Sequence, residues 1–324
     1  MKNILVTGCA GFIGWKVSQQ LLDMKKNVIG IDNINNYYDP ALKHWRLKIL
    51  RNYPNFSFYK IDIGGYKKLK IVFKENKINA VINLAARAGV RASVEDPWVY
   101  LDTNTKGTLN LLECCKDHKV KKFILASTSS LYASLDMPFK ETSKTDTPLA
   151  PYSATKKGAE VLCYSYHYLY GLDITILRYF TVYGPAGRPD MSIFKFVKNM
   201  DEGKPIPVFG DGTQTRDFTY IDDIADGTIR ALRPAGYEII NLGSDHPVKL
   251  NYVIKLLEKN LGKKAVRKTF PLHPADVTAT WANIEKAKKL LGWKPKMPLE
   301  QGIENTVRWF LENKKFLKSL KWKD

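Results

Sequence analysis

The chain has 324 residues, 44% of them hydrophobic and 26% charged, which excludes a disordered chain and a bundle of membrane spans and leaves room for about two ordinary domains. Its 51 lysines and arginines against 32 acids give a formal charge of +19, a surplus that suits a polyanionic partner: nucleic acid, anionic lipid or a nucleotide. Four cysteines, adjacent at Cys114 and Cys115 and otherwise placed at Cys9 and Cys163 inside predicted regular elements, make no disulfide framework, and five scattered histidines have no metal-ligand spacing, so no metal is expected.

From Met1-Lys2-Asn3 the chain enters an apolar run at once, without a signal-peptide cleavage pattern, and no apolar stretch approaches the length of a membrane span. A cytoplasmic protein with no membrane partner is expected. Short apolar runs then alternate with amphipathic segments: Ile4-Leu5-Val6, Val28 to Ile31, Phe56 to Tyr59, Ala80 to Leu84, Phe123 to Ala126, Ile174 to Leu177 and Glu238 to Leu242. Continuous apolar runs of this kind are strands buried on both faces, so the fold class expected is α/β, a doubly wound parallel sheet of Rossmann type with a second, smaller α/β lobe. The division predicted is a cofactor domain over 1–178 plus 216–242 and a substrate lobe over 179–215 plus 243–324, where Pro, Gly and irregular segments are more frequent. Ligands of open α/β sheets bind beyond the strands' carboxyl ends, which places the site between the two.

The first strand runs into Gly8-Cys9-Ala10-Gly11-Phe12-Ile13-Gly14 and then a helical pattern. Glycines here allow a tight turn and close approach of backbone to a pyrophosphate, and the helix start offers unpaired N–H groups. The second strand ends in Asp32, eighteen residues beyond Gly14, where a carboxylate accepts from both ribose hydroxyls and repels a 2′-phosphate; NAD is therefore the expected cofactor. Asp62 and Ile63 follow the third strand and are placed to reach the adenine, although Asp62 reads equally well as a helix cap. Leu84-Ala85-Ala86 follow the fourth, small enough for a cofactor to lie against the backbone.

Strand five closes on Thr128-Ser129-Ser130, and Tyr152-Ser153-Ala154-Thr155-Lys156 opens a helix after Pro148 and Pro151. Four residues apart, Tyr152 and Lys156 share one helical face. An ammonium beside a phenol favours the phenolate, which makes Tyr152 a candidate general base, with the Thr128 hydroxyl sharing the proton.

These residues resemble the extended short-chain dehydrogenase/reductase family, in its nucleotide-sugar epimerase and dehydratase branch, over essentially the whole chain. The resemblance rests on Gly8/Gly11/Gly14, Thr128 with Tyr152 and Lys156, Arg216-Asp217-Phe218 and Asp276-Val277. Dehydratases of the branch carry an Asp-Glu pair after the Thr, and decarboxylating members carry a Glu two residues after it. Ser129 and Ser130 stand there in this chain, which leaves epimerisation. Ala88-Gly89-Val90-Arg91, Thr128 to Tyr132, Arg178 to Pro185 and Gly187 to Met191 resemble the UDP-glucuronate 4-epimerase subfamily in particular.

The resemblance implies a UDP-sugar substrate whose carboxylate meets Ser129, Ser130, Thr181 and Arg188, with Arg91 as a further substrate contact. It assigns Val208 and Phe209 to the uracil, Arg216 to the diphosphate and Asp276 to the uridine ribose. His273, Ala275 and Ala133 depart from the family pattern, the last standing where a Gly usually follows Tyr132. Two long helices, near Tyr100 to Cys115 and Tyr152 to Tyr170, resemble the pair that joins two subunits in this family, so a homodimer is expected. The alternatives are a 4-epimerase of UDP-glucose or a UDP-N-acetylhexosamine and, from another class, a nucleic-acid-binding protein on a dinucleotide fold. The basic clusters Lys67-Lys68, Lys121-Lys122, Lys263-Lys264 and the tail from Lys314 lie apart from one another and lack interleaved stacking aromatics, so no specific nucleic acid is expected.

Overall fold

The structure, a computed structural model, describes residues 2–133, 135–272 and 277–322. Seven strands form one parallel sheet: β1 (Asn3–Thr7), β2 (Asn27–Asp32), β3 (Phe56–Lys60), β4 (Ala80–Asn83), β5 (Lys122–Thr128), β6 (Asp173–Tyr179) and, further along the chain, β10 (Tyr237–Leu242). Their order is β10-β6-β5-β4-β1-β2-β3, the doubly wound arrangement, and the switch of winding direction falls between β1 and β4. Alternation along the strands feeds two separate cores. Ile4, Val6, Val28 and Ile82 point to one face, while Leu5, Ile29, Ile31 and Val81 point to the other.

Four further strands and a short partner make two small sheets: β11 (Pro247–Lys249), β9 (Thr215–Tyr220) and β7 (Thr181–Tyr183) in one, β12 (Arg267–Phe270) and β8 (Ile206–Phe209) in the other. Hydrogen bonding thus places β9 with strands of the smaller lobe, although the sequence reading gave residues 216–242 to the cofactor domain. Conversely Ala282, Ile284, Ala287, Leu291 and Trp293 pack into a core of the large sheet, although 243–324 read as substrate lobe. The core of the smaller lobe takes in Phe12, Tyr38 and Leu42 from the first sixty residues. Buried side chains therefore cross the expected boundary in both directions.

The helix expected near Tyr100 to Cys115 is interrupted. A turn at Pro97–Tyr100 leads into a π-helical stretch, Leu101–Lys106, before an α-helix at Gly107–Asp117. The Asn104 side chain explains the break, because it accepts from Arg87 N at 2.9 Å, donates to Arg87 O at 3.0 Å and donates to Thr155 Oγ1 at 3.1 Å. Cys9 also departs from expectation, lying in the turn after β1 and not in a regular element; all four cysteines are free and buried. No helix of the described residues is long and apolar enough to cross a membrane, and among those residues no cluster of His, Cys, Asp and Glu could hold a metal ion.

Candidate active site

A cavity of about 450 Å³ opens over the carboxyl ends of β1, β2, β4 and β5. Its inner wall is the turn between β1 and the helix Phe12–Asp23. Gly8 has φ +68°, and a Cβ on it would come 2.8 Å from Ala85 N, so the close approach of the β1 and β4 ends requires glycine. A Cβ on Gly14 would fall 2.0 Å from Gly8 O, and this seats the helix directly on the turn. No side chain caps that helix, which leaves the first-turn N–H groups of Phe12, Ile13 and Gly14, all cavity-lining residues, available to an anion.

Asp32 lies at the end of β2 and lines the same cavity. Its oxygens accept from Ala10 N at 3.2 Å and Ile34 N at 2.8 Å, with the Lys43 ammonium 3.6 Å away. A carboxylate has about four lone-pair sites, so it can accept ribose hydroxyls as well. Asp62 is not a helix cap: Oδ1 accepts from the Gly64 N–H at 2.7 Å in the turn before the helix Tyr66–Glu75, which has no side-chain cap, while Oδ2 accepts from Asn33 Nδ2 at 2.7 Å and the residue lines the cavity beside Ile63. Leu84, Ala85 and Ala86 complete this side.

Thr128, the last residue of β5, accepts from Ser130 N and donates to Ser130 Oγ, both at 3.1 Å. Tyr152 and Lys156 stand one turn apart on the helix Pro151–Tyr170, whose start is fixed by Pro151 in the first turn and by reciprocal bonds between Ser153 Oγ and the Ala150 backbone. All three residues line the cavity, as do Ser129, Ser130, Thr181 and Arg188. Burial pushes the Tyr152 phenol above its ordinary pKa, while a hydrogen bond with the Thr128 hydroxyl and the charge of Arg188 pull it down. Burial also draws the Lys156 ammonium down to about 8, and Glu160, one further turn along the helix, opposes that fall. The expected picture of a lysine that simply lowers its neighbour's pKa is therefore incomplete. Desolvation acts first on both groups, and the cation bearing most on the phenol is Arg188.

Glu160 is itself buried. It accepts from Ser127 Oγ at 2.6 Å and from Arg178 Nε and Nη2 at 3.0 and 2.8 Å. Arg188 is paired through Nε and Nη2 with Asp190, at 3.0 and 2.5 Å, and Nη2 reaches Ala88 O at 3.3 Å. Burial opposes the charge on Arg188, and Asp190 more than restores it.

The residues expected at the nucleotide end form a second group outside the lining of this cavity. The Arg91 guanidinium lies 3.6 Å from the centre of the Phe209 ring, which stacks in turn on Phe270 at 5.3 Å. Alternation along β8 turns Val208 into the lobe's core, so what it presents on the outer side is backbone. Arg216 donates to Thr215 O and Thr278 O from Nη1 and to Val277 O from Nη2. Asp276, His273 and Ala275 lie outside the described residues. Sequence reasoning missed Asn33, Tyr37, Lys43 and Arg87, which line the cavity: Lys43, the fourth residue of the helix Pro40–Leu50, reads as solvated surface, and Asn33, Tyr37 and Arg87 sit in loops whose path no local pattern fixes.

A doubly wound sheet with a glycine turn at its switch edge and a Tyr–Lys pair across the same cavity defines a dinucleotide-binding protein equipped for proton transfer. The pattern of the NAD dependent epimerase/dehydratase family matches residues 4–243, and the chain belongs to that family. Among its relatives, a UDP-glucuronate 4-epimerase of Thermodesulfobacterium geofontis is 61% identical over 322 residues, covering 99% of this chain and 100% of the relative. A crystal structure of UDP-glucuronic acid 4-epimerase from Bacillus cereus in complex with UDP-glucuronic acid and NAD matches with a TM-score of 0.91 at 40% identity, over 96% of this chain and 99% of that one. The UDP-glucose 4-epimerase of Thermotoga maritima with UDP-glucose matches with a TM-score of 0.88 at 33% identity, with the same coverage.

Proposed function

We propose that this chain is an NAD-dependent UDP-sugar 4-epimerase whose substrate is UDP-glucuronate and whose product is UDP-galacturonate. The observation that carries the reading is the convergence, on one cavity beside the glycine turn, of Thr128, Tyr152 and Lys156 with three hydroxyls and a guanidinium suited to a carboxylate: Ser129, Ser130, Thr181 and Arg188. The donor set fits NAD. Gly8 and Gly14 leave no room for a Cβ, the uncapped helix start would hold the pyrophosphate, and Asp32, lining the same cavity, would accept from a ribose. When bound, NAD supplies reversible hydride acceptance at the sugar's C4.

The chain's own residues handle protons and orientation. Tyr152, as phenolate, takes the 4-hydroxyl proton through or beside Thr128 and returns it after the 4-keto sugar has turned over. Arg188, the cation bearing most on the phenol, and Lys156 together favour the phenolate, and Glu160 opposes loss of the Lys156 proton. Ser129 and Ser130 replace the acids that elimination or decarboxylation needs, so neither departure of a hydroxyl nor loss of carbon dioxide is assisted. A 4-keto glucuronate is a β-keto acid, which loses carbon dioxide when the carboxylate bond stands perpendicular to the carbonyl plane. Thr181 and Arg188 hold the carboxylate away from that geometry.

Arg91 and Phe209 serve the uracil end and Arg216 the diphosphate. The protein works as a homodimer joined through the outer faces of Pro97–Lys106 and Pro151–Tyr170, where Trp98 and Tyr168 are 74% and 76% exposed in the single chain. Purified protein supplied separately with UDP-glucuronate, UDP-glucose and UDP-N-acetylglucosamine tests the reading. UDP-glucuronate should be turned over at least about tenfold more efficiently than either neutral sugar, a difference of about 1.4 kcal/mol, and Arg188→Ala should divert product to a UDP-pentose. Preference for a neutral sugar would overturn it.

A further inference from the structure

Arg46 lies in the helix Pro40–Leu50, is fully buried, and belongs to neither end of the cleft as described above. Its four terminal N–H groups all end on neutral oxygens. Nη1 donates to Ala10 O at 3.0 Å and Tyr38 Oη at 2.7 Å; Nη2 donates to Ala186 O at 2.6 Å and Gly187 O at 3.3 Å. Ala10 stands between Gly8 and Gly11 in the dinucleotide turn, while Ala186 and Gly187 lead directly into Arg188.

Among the described residues no carboxylate pairs with it; a buried charge left so is expensive, and a leucine or methionine of similar length would fill the same space without that cost. What only a guanidinium offers is a rigid fork that satisfies carbonyls from two loops at once. The Ala10 peptide is thereby held from both sides, its N–H by Asp32 and its C=O by Arg46. Across the fork, Ala186 is kept at φ +53°, a left-handed conformation unfavourable for alanine, two residues before Arg188, the residue proposed to face the sugar carboxylate.

We infer that Arg46 is a positioning residue that couples the two binding events: NAD against the Gly8–Gly14 turn sets the fork, and the fork sets the Ala186–Arg188 loop for the UDP-sugar. The inference rests on the two ligands of the proposed function, although not on which sugar is preferred. By linkage, each ligand then tightens the other by the same factor.

The test is an affinity titration of UDP-glucuronate and of UDP-glucose on NAD-stripped and NAD-saturated protein, in a Tyr152→Phe background that silences turnover. With Arg46 in place, NAD should tighten UDP-sugar binding at least about fivefold, and in Arg46→Lys the ratio should fall below about twofold. A purely structural role would weaken both titrations alike and leave the ratio intact, which would overturn the inference. So would the absence of any ratio in the Arg46 protein, whatever becomes of the variants. If Arg46→Lys does not fold, Tyr38→Phe, which frees one arm of the fork, should give an intermediate ratio; an unchanged ratio would count against the coupling. Linkage that persists in a protein preferring UDP-glucose would remove the glucuronate reading and leave this inference standing.

Discussion

At the inner end of the cleft Tyr152 and Lys156 are set by one turn of a single helix, and Gly8, Gly11 and Gly14 by one turn between strand and helix. At the nucleotide end, Arg91 from a loop after β4 lies on Phe209 of β8, which stacks on Phe270 of β12, more than fifty residues further along. The first arrangement is local, so sequence spacing already is geometry. The second exists only because separated strands pair: Phe209 and Phe270 share one small sheet, and Arg91 reaches them from the loop after β4. A chemical end built from one turn of helix and a binding end assembled from separate elements would let the sugar of the proposed function turn over while its nucleotide stays held.

If the two ends divide labour in this way, substitutions should separate kcat from KM. Tyr152→Phe should lower kcat on the order of 10²- to 10⁴-fold with UDP affinity unchanged, by steady-state kinetics and a UDP titration. Arg91→Ala should do the reverse, raising KM for the UDP-sugar about tenfold and leaving kcat within about twofold. A fall in kcat there would mean that the ends are not separable.

A pH profile sharpens the inner end. Burial draws the Lys156 ammonium down to about 8, below an ordinary lysine, and the Glu160 charge opposes that fall. Glu160→Gln should therefore move the alkaline limb of kcat to lower pH, and an unmoved limb would take Lys156 out of the proton relay. The smallest effect is expected from Ala133→Gly. Ala133 has φ +51° where the family usually has Gly, so relieving it should add about 1 kcal/mol of stability, read as a rise in Tm with little change in kcat.

The same division explains what was legible before the structure. All seven strands of the large sheet, the glycine turn, Asp32 and the Thr128–Tyr152–Lys156 set follow from periodicity and spacing, because parallel strands buried on both faces and residues four apart on a helix leave few alternatives. The pairing of β9 with β7 and β11 did not follow, since a linear pattern does not encode it. Nor did the inward turn of Val208, which depends on the register of β8, or the buried roles of Arg46, Glu160 and Arg178, whose charge reads as surface until their partners are known.

In the proposed function the proton-handling end serves an oxidation whose hydride returns to the carbon it left. UDP-glucuronate deuterated at C4, incubated with the protein in ordinary water and followed by NMR, tests this directly. The account predicts UDP-galacturonate with deuterium retained at C4. Product that has exchanged its deuterium for solvent hydrogen, or no product from UDP-glucuronate at all, would contradict it.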